Sequence, residues 1–261
     1  MSFRLRALFA ASLAFIGGLA NATDSGDTPH ATVVLVHGAF ADGSSWYPVI
    51  DILQARKLHV VAFANPLRGP AWDSSQLSEL LATLPGPVVL VGHSYGGAVI
   101  SNAELQPERV VGLVFVAAFS PDVGETVGGL AQKMPGSTLG ETLAMPVALG
   151  SGGNDLYIKQ EKFPSQFAGD LPPSQSRIMA ANQRPIRDAA FIEPVERANW
   201  HDVRSWAIYG SADKNIPPML MDFMAKRAHA TTVVLDGASH VPMLSDPQAV
   251  AELIVRASEA K

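Results

Sequence analysis

Residues 92–97 read Gly-His-Ser-Tyr-Gly-Gly, a serine set among glycines. They follow the apolar run Val88-Val89-Leu90-Val91 and precede a helix-capable segment from Ala98 to Leu105, closed by Pro107. In this Gly-x-Ser-x-Gly setting Ser94 is expected on a sharp strand-to-helix turn, its hydroxyl raised above the sheet edge. A serine hydroxyl is a weak nucleophile near neutral pH and needs a general base, itself oriented by an acid. The chain order such a turn predicts is serine, then Asp or Glu, then histidine. Asp213 in "YGSADKNIPP" and His240 in "GASHVPMLSDP" meet that order, each just beyond an apolar run. The chemistry of such a set is acyl transfer.

The chain has seven histidines competing for the role of base. His93 belongs to the turn but is expected to point away from Ser94. His37 ends the first apolar run and is expected to organise its loop. His30, His59, His201 and His229 lack a strand-end context. For the acid, Asp122 competes with Asp213 because it also lies just past an apolar run, and Asp213 is favoured. Asp236 reads as a strand-end residue and Asp246 as a helix cap. Acyl transfer also places negative charge on the former carbonyl oxygen, which two backbone N–H groups should meet. The turn supplies that of Tyr95. The loop "HGAFADGSSW" supplies the other, with Ala39 favoured over Phe40.

These residues must be carried by a sheet. Apolar, β-branched runs recur at 31–38, 59–66, 86–94, 110–119, 204–211 and 231–239. They are continuous rather than alternating, as expected of parallel strands covered on both faces. Between them lie helical spacings: Trp46, Val49, Ile50 and Leu53 behind Ser44 or Ser45 as N-cap, then Leu77, Leu80, Leu81 and Leu84 ended by Pro85-Gly86. Val250, Leu253, Ile254 and Ala257 follow Asp246 as cap and Pro247 at the first helical position. The alternation predicts an α/β fold with a mainly parallel sheet. From about 120 to 200 it breaks into Gly-, Pro- and Met-rich sequence with helical fragments near 124–133, 155–163 and 173–184, read as a mostly helical insertion over one end of the sheet.

Composition narrows the rest. A chain of 261 residues, 48% hydrophobic, fits one domain with a sizeable core. The formal charge of −5 and the absence of a Lys/Arg cluster give no sign of a nucleic-acid partner. There is no cysteine, so disulfides, thiolate metal sites and cysteine nucleophiles are excluded together. At the N-terminus, Arg4 and Arg6, the apolar stretch Ala7 to Leu19 and Ala20-Asn21-Ala22 have the form of a signal peptide with its cleavage site. Residues 1–22 are therefore expected to be removed, leaving 23–261 in the periplasm or outside the cell with no lasting membrane insertion.

With these motifs the chain resembles the α/β-hydrolase superfamily. It is most similar to the small group with an "HGAF/HGAW" first loop, a "GHSYGG/GHSLGG" elbow and a late Ser-His base, which includes plant methyl esterases, hydroxynitrile lyases and many bacterial esterases. The likeness covers roughly 31–118 and 204–257. It implies an α/β-hydrolase fold with a helical cap at about 120–200, no cofactor and no metal, and a triad of Ser94, Asp213 and His240. Hydroxynitrile lyases of the group carry Lys after the catalytic histidine and Thr in the first loop. Here Val241 and Gly38-Ala39 stand there, which points to hydrolysis. The activity implied is cleavage of a small carboxylic ester through an acyl-enzyme on Ser94. Amide, lactone or carbon–carbon bond cleavage, or a slow small-molecule receptor, are the alternatives. Phe40, Tyr95, Met134, Met145 and Phe167 are expected pocket walls.

Overall fold

The computed structural model describes residues 31–260 except Pro107. Its centre is a parallel sheet of β1 (Thr32–Val36), β2 (Val60–Phe63), β3 (Val88–His93), β4 (Val110–Val116), β8 (Ser205–Gly210) and β9 (Thr231–Leu235), ordered β2-β1-β3-β4-β8-β9. Each strand lies inside one of the six apolar runs. The four inner strands are almost wholly buried, as continuous Val/Leu/Ile sequence requires. β2 and β9 are edges and stay partly exposed, a difference their apolar composition does not announce.

Helices α1 (Tyr47–Ala55), α2 (Pro70–Thr83), α3 (Gly96–Asn102), α9 (Pro218–Arg227) and α11 (Pro247–Ser258) flank the sheet. The N-cap near α1 is corrected: neither Ser44 nor Ser45 caps it. Asp42 caps the preceding 3₁₀ turn Gly43–Trp46, its carboxylate accepting from Ser44 N at 2.9 Å. A carboxylate is a stronger acceptor than a hydroxyl, and from two residues before Ser44 it reaches a free N–H of the first turn. α3 starts two residues before the expected segment and ends before Leu105. α11 starts as expected: Pro247 opens it, and Asp246 accepts from Ala249 N at 3.0 Å. It buries Val250, Leu253, Ile254 and Ala257 on one side, each large side chain contributing about 1.5–3 kcal/mol.

The insertion carries α4 (Val127–Lys133), α5 (Leu139–Thr142), α6 (Phe163–Phe167), α7 (Pro173–Asn182) and α8 (Ala189–Ile192). It also holds a small antiparallel sheet, β5 (Val147–Ala148), β6 (Asn154–Leu156) and β7 (Ile186–Arg187), so it is not wholly helical. The helix expected near 155–163 does not form. Gly152 and Gly153, at φ +87° and +74°, turn the chain so that β6 pairs with β5, and Ile158 bridges to Leu143. These pairings take the backbone groups a helix would have used. Arg68, after β2, ties this cap to the sheet through Asp155 at 2.6 Å and Pro185 O at 3.1 Å. A last short helix, α10 (Pro242–Ser245), follows β9. Among the described residues no helix is long and apolar enough to cross a membrane.

Candidate active site

Ser94 stands between β3 and α3 with φ at +52°, a left-handed conformation that costs a non-glycine residue about 1–3 kcal/mol. The surrounding backbone holds it there. Its N–H donates to Val116 O at 3.2 Å, and its carbonyl accepts from Gly97 N at 3.0 Å and Phe119 N at 3.1 Å. The flanking glycine answers a space demand: a Cβ on Gly92 would lie 2.6 Å from Gly96 O. The first loop comes equally close, since a Cβ on Gly38 would lie 2.6 Å from the Ser94 Cβ.

His240 follows β9 and Asp213 follows β8, its neighbour in the sheet. The two side chains meet, His240 Nδ1 to Asp213 Oδ2 at 2.6 Å, both buried. The other carboxylate oxygen of Asp213 accepts from Asn215 N at 2.7 Å and Ile216 N at 3.0 Å, so the turn itself orients the acid. With Nδ1 donating to the carboxylate, Nε2 is the ring nitrogen left to accept a proton. His240 and Ser94 line one cavity. The rival acid lies elsewhere: Asp122 pairs with His201 Nε2 at 2.9 Å, with both side chains substantially exposed.

Three supports of His240 have no sequence signal in the motifs. His93 Nε2 donates to the carbonyl of His240 at 2.9 Å, and the two rings lie 4.9 Å apart. Burial holds His93 well below the ordinary histidine pKa, so it is neutral. Ser239 donates its N–H to Asp170 Oδ2 at 3.0 Å and its hydroxyl to Asp170 Oδ1, clasping the histidine loop to the cap. Phe167 covers the His240 ring at 4.9 Å. His37 holds the first loop: its Nδ1 donates to Gly38 O at 3.0 Å while its Nε2 accepts from Asn65 N, just after β2, at 3.1 Å, and burial lowers its pKa to about 4.

The backbone donors also separate. Phe40, at φ +59°, donates its N–H to Arg184 O at 3.0 Å and is committed. Among the described residues the N–H groups of Ala39 and Tyr95 have no protein acceptor, and both residues line the cavity with Ser94. The Tyr95 side chain runs away from it, donating its hydroxyl to buried Asp73 at 2.8 Å. Asp73 also accepts from the N–H groups of Arg68 and Gly69; burial nonetheless raises its pKa.

The cavity is small, about 40 Å³, and mainly apolar, with Phe40, Phe119, Leu139, Phe167 and Phe191 among its walls. Met134 and Met145 are not among them, and Met145 is 86% exposed on the cap because its segment runs along the outer β5 edge. A larger groove of about 330 Å³ opens near Leu81, Val88 and Val110, at the opposite end of the strands from Ser94. It brings no nucleophile to a base. Among the described residues no group of three or more His, Cys, Asp or Glu is placed to hold a metal ion.

This geometry has clear relatives. The profile of the alpha/beta hydrolase family matches residues 33–253. The chain belongs to the alpha/beta hydrolase family. This hydrolase is 29% identical over 259 residues to methylesterase 11 of Arabidopsis thaliana, covering 85% of its own length and 62% of that chloroplastic protein. It therefore spans less than two thirds of that relative. It is 27% identical over 249 residues to a pyrethroid hydrolase of Sphingobium wenxiniae, covering 87% and 88% of the two chains. The solved structure of polyneuridine aldehyde esterase shares its fold, with a TM-score of 0.73 over 88% of this chain and 100% of that one, at 21% identity.

Proposed function

We propose that this α/β hydrolase cleaves a small carboxylic ester by way of an acyl-enzyme. The observation that carries the reading is the shared cavity of Ser94 and His240, with His240 bound through Nδ1 to buried Asp213. Relatives named as methylesterases and esterases support the ester as substrate class. In the reaction His240 Nε2 takes the Ser94 proton as Oγ attacks the carbonyl carbon. The N–H groups of Ala39 and Tyr95 hold the resulting oxyanion. The alcohol then leaves with the proton from His240. Water, deprotonated by His240, attacks the acyl carbon, and His240 returns that proton to Ser94 Oγ as the acyl bond breaks and the acid is released. Asp213 keeps the proton of neutral His240 on Nδ1 and stabilises the imidazolium.

The test is hydrolysis of p-nitrophenyl acetate and butyrate by wild type, Ser94→Ala and His240→Ala. Loss of about 10³-fold or more in both variants is expected. Equal, slow turnover by wild type and Ser94→Ala would remove the reading and favour a receptor on the same fold.

The signal-like segment at 1–22 lies outside the described residues. We propose that it directs export, on its basic start, apolar stretch and Ala20-Asn21-Ala22 site. N-terminal sequencing of protein recovered outside the cytoplasm should then begin at Thr23.

A further inference from the structure

Asn215 lies two residues after Asp213 and lines the cavity, at 4% exposure. Its side chain is held by the cap. Gln166, on α6, donates Nε2 to Lys214 O at 3.0 Å and to Asn215 Oδ1 at 2.8 Å, while its Oε1 accepts from the Thr138 hydroxyl at 2.8 Å. A carbonyl oxygen can only accept, so Lys214 O makes the facing Gln166 atom the nitrogen. The Asn215 atom that meets this nitrogen must then be its oxygen. Asn215 Nδ2 is left buried with no hydrogen-bond partner. A buried amide N–H without an acceptor is costly, and such groups persist in binding sites where the ligand completes them.

We propose that Asn215 Nδ2 is a specificity determinant, donating to a second hydrogen-bond acceptor on the substrate. The ester preferred by this site carries a ketone or similar oxygen on an otherwise apolar acyl or alcohol group. Polar atoms are few along this cavity, so one oriented donor discriminates strongly between a substrate that meets it and one that leaves it bare. The inference rests on the ester-hydrolase reading and narrows it.

The experiment compares substrates matched in shape on both sides of the ester. On the acyl side they are p-nitrophenyl 4-oxopentanoate and 4-methylpentanoate; on the alcohol side, 2-oxopropyl acetate and 2-methylpropyl acetate. For wild type, Asn215→Ala and Asn215→Asp, kcat/KM is measured for each. In at least one pair the loss on mutation should be about tenfold greater for the keto ester than for its alkyl partner. Asn215→Asp, which keeps the shape and the Oδ1 contact but replaces the donor by an acceptor, should lose at least as much. A partly misfolded variant lowers both members equally, so the ratio within each pair is unaffected. Equal losses within both pairs would overturn the role of Asn215 while leaving the ester-hydrolase reading intact. Absence of turnover by wild type, or turnover that survives Ser94→Ala, would overturn both.

Discussion

His240 Nδ1 lies 2.6 Å from Asp213 Oδ2, and neither side chain is more than 1% exposed. At that burial the carboxylate and the ring have each other and the turn at 213–216 as partners, with solvent excluded. Asp213→Asn keeps the shape and the acceptor for Asn215 N and Ile216 N, but puts an N–H opposite His240 Nδ1. The favoured tautomer then carries its proton on Nε2 and cannot take one from Ser94. Ester hydrolysis should fall about 10³-fold or more, whereas Asp122→Asn leaves it unchanged. Steady-state kinetics of the two variants check this; loss in Asp122→Asn with Asp213→Asn near wild type would move the acid to Asp122.

Asp170 joins the cap to the loop of His240 through Ser239. Asp170→Ala frees the Ser239 N–H and leaves its hydroxyl only the longer bond to Phe167 O at 3.4 Å, so the His240 loop loses its main tether to the cap. We expect kcat to drop about tenfold through poorer alignment of the ring, with faster amide exchange over 237–241. Unaltered exchange in that loop would show that the clasp does not position His240.

The Tyr95 hydroxyl is one of the donors that keep Asp73 buried. Tyr95→Phe removes it and leaves the carboxylate short of a partner, costing about 1–2 kcal/mol of stability. The backbone N–H of Tyr95 is untouched, so folded protein should still hydrolyse p-nitrophenyl acetate. Urea denaturation and a kinetic assay on the same sample separate the two effects.

His37 has its pKa lowered from 6.5 to about 4, mainly by burial. Below pH 6.5 the unfolded chain takes up a proton that the folded chain resists, so stability held above 6.5 is lost as pH falls toward 4. The contribution is about 3 kcal/mol over that window. The stability difference between wild type and His37→Asn should shrink by that amount between pH 7 and pH 4, measured by urea midpoints. A difference independent of pH would show that His37 titrates normally.

Much of this was legible because its signals are local. Continuous Val/Leu runs marked all six central strands, and Ser94 announced itself by the glycines its tight turn requires. His240 and Asp213 were readable as residues just past strand ends. Segment 154–158 was not, because its pairing partners at 143 and 147–148 outweigh its own helical preference. The roles of His93, Gln166 and Asp170 were silent as well: each acts through a contact across 49 to 147 residues of chain.

An α/β fold with a serine on a tight turn, a late histidine and a short choice of acids is written in local signals, since continuous apolar runs, glycine spacing and chain order need no distant partner. Strand order decides which candidate acid meets His240. β8 lies beside β9, which brings Asp213 to His240, while the chain after β4 turns into the cap and leaves Asp122 with His201. Only the tertiary structure could commit the Phe40 N–H to Arg184, leave those of Ala39 and Tyr95 open, and turn Asn215 by way of Gln166. Hydrogen-bond partners far apart in sequence become neighbours only when the cap closes over the sheet.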